Sequence, residues 1–350
     1  MTQNANANSS DNHRVLVYER MDPTDESLNW LASHGIEVTR GRAMWEAPFA
    51  RYLDDEFIAA ARGFRSVMGA SGVQFSRTVL EALPELRFIS KLGVGVDNID
   101  LETATSRGVL VSNTPEDSEV ADVAEHTIAL ILGLRKKLTT WTPDYMQRGG
   151  WRPGFFADTL AGNTIGLVGL GKIARAVVQR LTHWEVKILA FDPGPAPAPG
   201  EVEQTSLSDL LRRSDIVSLH ATPTSQNRHL INQAAFELMK PGALLINTAR
   251  AWLVDTNALL QVLKSGRLGG AALDVYDLEP PDPNDPLFRQ DHVIVTPHTA
   301  AWTRKGLEAL GWHGARNLCA MLCGEGHADI VNPAAAHVTP PQGRRLQAQR

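Results

Sequence analysis

At 350 residues the chain has the length of two ordinary domains of roughly 100 to 200 residues each. Its 43% hydrophobic and 21% charged residues, without an apolar run near the roughly 18 residues of a membrane span, point to a soluble globular protein. The formal net charge of -5 is spread along the chain, so the Lys/Arg clustering that binds nucleic acid is excluded.

In chain order, residues 1–12 are polar and lack both a secretory apolar region and an Arg-rich transit pattern, and read as a disordered arm. Short β-branched runs at 15–18, 66–69, 88–91 and 109–111 then alternate with helical patterns at 24–32, 54–61 and 76–83, the signature of a small doubly wound domain. Thr114-Pro115 marks a domain crossing. A long helix over 120–137 follows, with Val120, Val123, Ala124, Thr127, Ile128 and Ile131 on one face. Strands are predicted at 164–168, 187–191, 215–220, 243–247, 271–274 and 293–296, and six is the count of a dinucleotide-binding sheet. A last helix over 305–322 is expected to return to the first domain and close a cleft. The division predicted is 14–112 with 306–335 as one domain and 113–305 as the other. Residues 339–350, rich in Pro, Gln and Arg, read as a loose tail. The two cysteines, Cys319 and Cys323, make no disulfide framework and suit a reducing cytoplasm. With His313 and His327 they evoke a zinc site, but Gly324 and Gly326 end the helix before His327 can join them, so core packing is expected and no metal.

The strongest local signal is Thr164-Ile-Gly-Leu-Val-Gly169-Leu-Gly171-Lys-Ile-Ala174, a strand, a glycine turn and a helix start. Gly169 permits the tight turn, Gly171 lets the backbone approach a pyrophosphate, and Ala174 is small enough for helix against strand. The helix N-terminus offers unpaired N–H groups to the phosphates. Asp192, ending the next strand about 20 residues on, is placed to accept the ribose hydroxyls. Pro193, Gly194, Pro195 and Ala196 bring no cation for a 2'-phosphate, so NAD is predicted as the cofactor.

Moving a hydride from an alcohol carbon requires a base, a group that tunes it and a cation that fixes the substrate. His298 in Thr296-Pro-His298, Glu279 after the strand ending at Asp274, and Arg250 in Asn247-Thr-Ala-Arg250 follow successive strands at the edge where open α/β sheets bind ligands.

On these motifs, with Lys91-Leu-Gly-Val-Gly-Val-Asp-Asn-Ile-Asp100 and Ala272-Leu-Asp-Val275, the chain resembles the D-isomer-specific 2-hydroxyacid dehydrogenases from about residue 14 to residue 333. The resemblance implies a Rossmann NAD domain and a flavodoxin-like substrate domain. It implies that Arg250 holds the substrate carboxylate and carbonyl, that His298 is the acid/base, that Glu279 bonds His298 and favours its charged form, and that the Val94-Gly95 backbone meets the carboxylate. For the cofactor it implies Lys172 and Ile173 at the pyrophosphate, Ala221 and Thr222 near the adenosine, and Thr248, Ala249, Arg250 and Asp274 along the nicotinamide side beside His298. A homodimer through the long helix and the loop around Trp151 is implied as well.

The sequence departs from that pattern at Ala174, Ala251, Ala300, Ala301, Trp302 and Pro223, and Ala251 and Trp302 bear on the pocket's shape. Trp45, Trp302 and Trp312 are candidates for an apolar wall. No Arg stands in the 69–73 segment, where phosphoglycerate-type members carry one, so an unphosphorylated acid is expected. Two alternatives share this architecture: a non-catalytic NAD(H)-sensing regulator and a phosphite dehydrogenase. Glu279 argues against a third, formate dehydrogenase, in which Gln partners the His.

Overall fold

The computed structural model describes residues 13–46, 51–151, 156–194, 198–200, 202–324 and 326–338. The polar ends at 1–12 and 339–350 lie outside them. The chain divides into two units, Met1–Ser118 with Thr303–Arg350, and Glu119–Trp302. The first crossing falls a few residues past Thr114-Pro115 because that stretch is tied to the first unit. Asn113 N donates to Asp329 O at 3.1 Å, Asn317 Nδ2 donates to Asn113 O at 2.7 Å, and Glu116 Oε1 meets His313 Nδ1 at 2.7 Å.

The first unit contains β1 (Arg14–Arg20), α1 (Glu26–Ser33), β2 (Glu37–Ala43), α2 (Asp54–Ala61), β3 (Ser66–Gly69), α3 (Arg77–Ala82), β4 (Phe88–Lys91), α4 (Leu101–Ser106) and β5 (Leu110–Ser112). All its strand pairs are parallel, in the order β2-β1-β3-β4-β5, which is the flavodoxin-like winding. Successive residues serve opposite faces: Leu16, Tyr18, Val67 and Ile89 fill one core, Val15, Val17, Met68 and Phe88 the other. The strand β2 is absent from the sequence reading because it is a polar edge. Of its seven residues only Ala43 is buried, and pairing with β1 makes it a strand. The short helix α4 also escaped, since its cue is the Asp100 cap that accepts from Thr103 N.

The second unit runs on through α5 (Asp117–Arg135), α6 (Pro143–Gln147), β6 (Thr164–Val168), α7 (Lys172–Leu181), β7 (Lys187–Phe191), β8 (Glu203–Gln204), α8 (Leu207–Arg213), β9 (Ile216–Leu219), α9 (Gln233–Leu238), β10 (Leu244–Asn247), α10 (Thr256–Lys264), β11 (Gly270–Leu273) and β12 (Val293–Val295). Its parallel sheet has the order β12-β11-β10-β9-β6-β7-β8, so the winding reverses between β6 and β9. Six of these seven strands coincide with predicted runs, and β8 is a two-residue edge pairing with Leu189 and Ala190. Helix α5 buries Val123, Ala124, Thr127, Leu130 and Ile131, and Ala124, Leu130 and Ile131 join the core that contains Ile165, Leu167 and Ile246.

The last helix, α11 (Arg304–Cys323), packs Leu307, Leu310, Leu318 and Cys319 into the first unit's core. Cys319 is thus an apolar core residue. The helix stops at Gly324 in a left-handed conformation, φ 72°. No helix among the described residues is long and apolar enough to cross a membrane.

Candidate active site

At the switch point of the second unit, β6 is followed by Gly169 with φ 96°. A Cβ there would stand 2.7 Å from both Ala221 N and the His220 carbonyl carbon, so the turn requires glycine for conformation and for space. A Cβ at Gly171 would meet nothing within 4 Å. That open space lies over the start of α7, which has no side-chain cap, and the Lys172 and Ile173 amides belong to its first turn, at the positive end of the helix. Asp192 Oδ2 accepts from Leu170 N at 2.6 Å and Oδ1 from Gly194 N at 2.7 Å, so the carboxylate is anchored beside the glycine turn. Ala221 and Thr222 follow β9 across the switch point, with Thr222 O accepting from Asn227 Nδ2 at 2.8 Å. Burial holds His220 down at about 4, so its ring is neutral at pH 7, with Nε2 2.9 Å from Ser218 Oγ. A glycine turn, an open helix start and an anchored carboxylate fit a dinucleotide's pyrophosphate and ribose.

Three neighbouring strands, β10, β11 and β12, carry Arg250, the Asp274–Glu279 segment and His298 to the same edge. Arg250 is extended, at φ -148° and ψ 143°, before a single 3-10 turn over Ala251–Leu253. Asn247 shapes this segment from both sides: its Nδ2 donates to Arg250 O at 2.9 Å and its Oδ1 accepts from Ala249 N at 3.1 Å. Arg250 Nη1 donates to Ala249 O at 2.8 Å. Thr127 on α5 donates its proton to Val123 O, so in its 2.9 Å contact with Thr248 Oγ1 the Thr248 hydroxyl is the donor.

Glu279 Oε1 accepts from Tyr276 N at 3.1 Å, and Oε2 lies 2.7 Å from His298 Nδ1. A carboxylate can only accept, so Nδ1 carries the proton and Nε2 is the ring nitrogen left to exchange one. The backbone of His298 sits at φ 55°, a left-handed conformation that strains a residue with a Cβ. Asp274, 1% exposed, holds that turn. Its Oδ1 accepts from Thr296 Oγ1 at 2.6 Å and Thr299 N at 2.9 Å, and its Oδ2 from Ala300 N at 3.0 Å. Tyr276 donates to Thr296 O at 2.9 Å, and its phenol is raised by burial and by the Asp274 and Glu279 carboxylates.

The structure therefore joins Glu279 to His298 directly and sets Arg250 on the same edge, and it directs Asp274 at the His298 turn. Val94 and Gly95 belong to the first unit, after β4. Val94 is exposed, its carbonyl accepts from Asn113 Nδ2 at 2.8 Å, and Gly93 N donates to Thr114 Oγ1 at 2.7 Å. Trp312 packs on Trp30 with ring centroids 5.9 Å apart, while Trp45 and Trp302 are exposed. Asn247, Tyr276, Thr296 and His126 carry contacts here that no sequence motif assigns to them. His126 lies three residues after Val123 and four before Leu130, the helical spacing that would have set it at the rim of the buried stripe.

Residues 128–300 match the family model for the D-isomer specific 2-hydroxyacid dehydrogenase NAD binding domain. NAD is the cofactor, and the turn, helix start and Asp192 fit it. The chain is 42% identical over 272 residues to the glyoxylate reductase of Thermofilum pendens, covering 75% of this chain and 79% of that one. It is 33% identical over 323 residues to the D-3-phosphoglycerate dehydrogenase of Archaeoglobus fulgidus, covering 91% of this chain but 59% of the relative's length. Among solved structures, a protein from Thermus thermophilus superposes with a TM-score of 0.81 at 32% identity, over 91% of this chain and 99% of that one.

Proposed function

Because this chain belongs to the D-isomer specific 2-hydroxyacid dehydrogenase family, we propose that it interconverts a 2-hydroxy acid and its 2-oxo acid, with His298 as acid/base, Glu279 as its partner and Arg250 holding the substrate. The observation that carries this reading is the 2.7 Å bond from His298 Nδ1 to Glu279 Oε2, which leaves Nε2 for the substrate oxygen. NAD, when bound, supplies the hydride acceptor for oxidation and NADH the donor for reduction. In oxidation His298 Nε2 takes the hydroxyl proton, and Glu279 stabilises the imidazolium through Nδ1. In reduction the same nitrogen returns a proton to the carbonyl oxygen.

Arg250 presents a planar fork of donors that binds a carboxylate oxygen and polarises the neighbouring carbonyl. Lys172 and Ile173 amides serve the pyrophosphate, Asp192 the ribose hydroxyls, and Ala221 and Thr222 the adenosine. Thr248, Ala249 and Asp274 line the nicotinamide side. The substrate is an unphosphorylated acid: the 69–73 segment has no cation, and its Ala70 and Gly72 amides are already engaged by Glu19 Oε2. The working form is a homodimer through α5 and the segment after it, where Leu138, Met146, Trp151 and Phe156 expose large apolar side chains in one stretch of sequence.

The test is NAD(H) turnover with the purified chain against a panel of 2-hydroxy and 2-oxo acids, with phosphite as a separate arm. Turnover of an acid from the panel, lost in His298→Ala, is the expected result. Turnover of phosphite alone, or of nothing despite tight NADH binding, refutes the reading.

A further inference from the structure

His126 takes part neither in the cofactor cradle nor in the His298–Glu279 pair. It projects from α5 with Nε2 3.1 Å from Thr296 Oγ1 and 3.8 Å from Asp274 Oδ1. The Thr296 hydroxyl has a single proton, and its 2.6 Å contact with the Asp274 carboxylate takes it. Toward His126 the Thr296 oxygen can only accept, so His126 Nε2 carries a hydrogen whatever its charge. The result is a directed chain: His126 N–H to Thr296 Oγ1, Thr296 O–H to Asp274 Oδ1, and Asp274 to the amides of Thr299 and Ala300.

This chain brackets His298, since its partners lie at 296, 299 and 300, while His298 sits in the strained left-handed conformation at φ 55°. A donor feeding a hydroxyl strengthens the bond that the hydroxyl itself donates, more so in a buried network. Asp274 is 1% exposed, so the strength of each bond it accepts bears on how rigidly it grips the turn.

We propose that His126 is a positioning residue: by donating to Thr296 it tightens the grip of Asp274 on residues 296–300 and so fixes the direction of the His298 ring. Its effect on rate rests on the reading of His298 as acid/base, while its effect on the turn does not.

The experiment replaces His126 by Leu, which removes the donor, and by Gln, whose amide N–H has similar reach. Two readouts are followed on the NAD-loaded protein: hydrogen exchange at the Thr299 and Ala300 amides, and the separate values of kcat and KM. His126→Leu should speed exchange at both amides and lower kcat roughly tenfold, the scale of a small misplacement of an acid/base group, with KM and NADH affinity within about twofold. His126→Gln should restore both. Unchanged amide protection in His126→Leu overturns the proposal, as does lost protection with kcat intact. Should the Leu variant not fold, His126→Met makes the same comparison. His298→Ala is run alongside, because full activity there sinks the acid/base reading and leaves the amide readout untouched.

Discussion

His298 Nδ1 lies 2.7 Å from Glu279 Oε2, and the bond joins the segment after β12 to the loop after β11. It fixes the imidazole tautomer and leaves one nitrogen, Nε2, to exchange a proton.

His298→Ala should nearly abolish turnover while sparing NADH binding, since it removes the proton carrier and none of the cradle at Gly169 and Asp192. In Glu279→Gln an amide replaces the carboxylate that accepts from Nδ1 and orients the ring, so kcat should fall in both directions while NADH affinity stays within about twofold. Steady-state kinetics in both directions check this. An unchanged kcat means that the pair has no part in catalysis.

Arg250→Lys should lose on the order of 2 to 5 kcal/mol in kcat/KM for a 2-oxo acid, because an ammonium cannot reproduce the fork and the charge pair is desolvated by substrate. The methyl ketone analogue should be a poor substrate of the unmutated protein and lose little more in the variant. Comparable efficiency on acid and ketone would show that Arg250 does not read the carboxylate.

Asp192→Ala should narrow the preference for NAD over NADP, because a carboxylate accepts ribose hydroxyls and repels a 2'-phosphate. The same carboxylate anchors Leu170 N and Gly194 N, so NAD affinity should also fall by about 1 to 3 kcal/mol. Calorimetric binding of both dinucleotides to the variant and its parent reads the change. Equal efficiency with NAD and NADP in the parent contradicts the assignment.

Glu19 at the end of β1 is 1% exposed and accepts from Ala70 N at 2.9 Å and Gly72 N at 3.0 Å. Burial raises its carboxyl above the ordinary 4.5, against the opposing pull of those amides and of Lys91. A carboxyl with a raised folded pKa contributes stability below its unfolded value and loses it as pH rises through the folded one. Glu19→Gln cannot ionise, so its stability relative to the parent should increase between pH 4 and pH 7, as followed by urea unfolding at both. A gap that stays constant or narrows rules the effect out.

Much of the fold could be read along the chain because the features concerned are local. Strands β6, β7 and β10 are short apolar runs buried on both faces, which need no partner to be recognised. The Gly169 turn and Asp192 depend on backbone geometry within a few residues, and that geometry is encoded in the residues themselves. The edges were not legible in this way. Strand β2 is polar, β8 is two residues long, and each is a strand only because its neighbour bonds it.

The candidate site divides along the same line. Residue types and their places after successive strands marked Arg250, Glu279 and His298. That Asp274 grips the His298 turn, that Asn247 shapes the Arg250 segment, and that His126 reaches Thr296 across 170 residues were decided by tertiary structure alone. The order of strands in the sheet and the way α5 lies on it select which side chains meet, and a one-dimensional spacing contains neither.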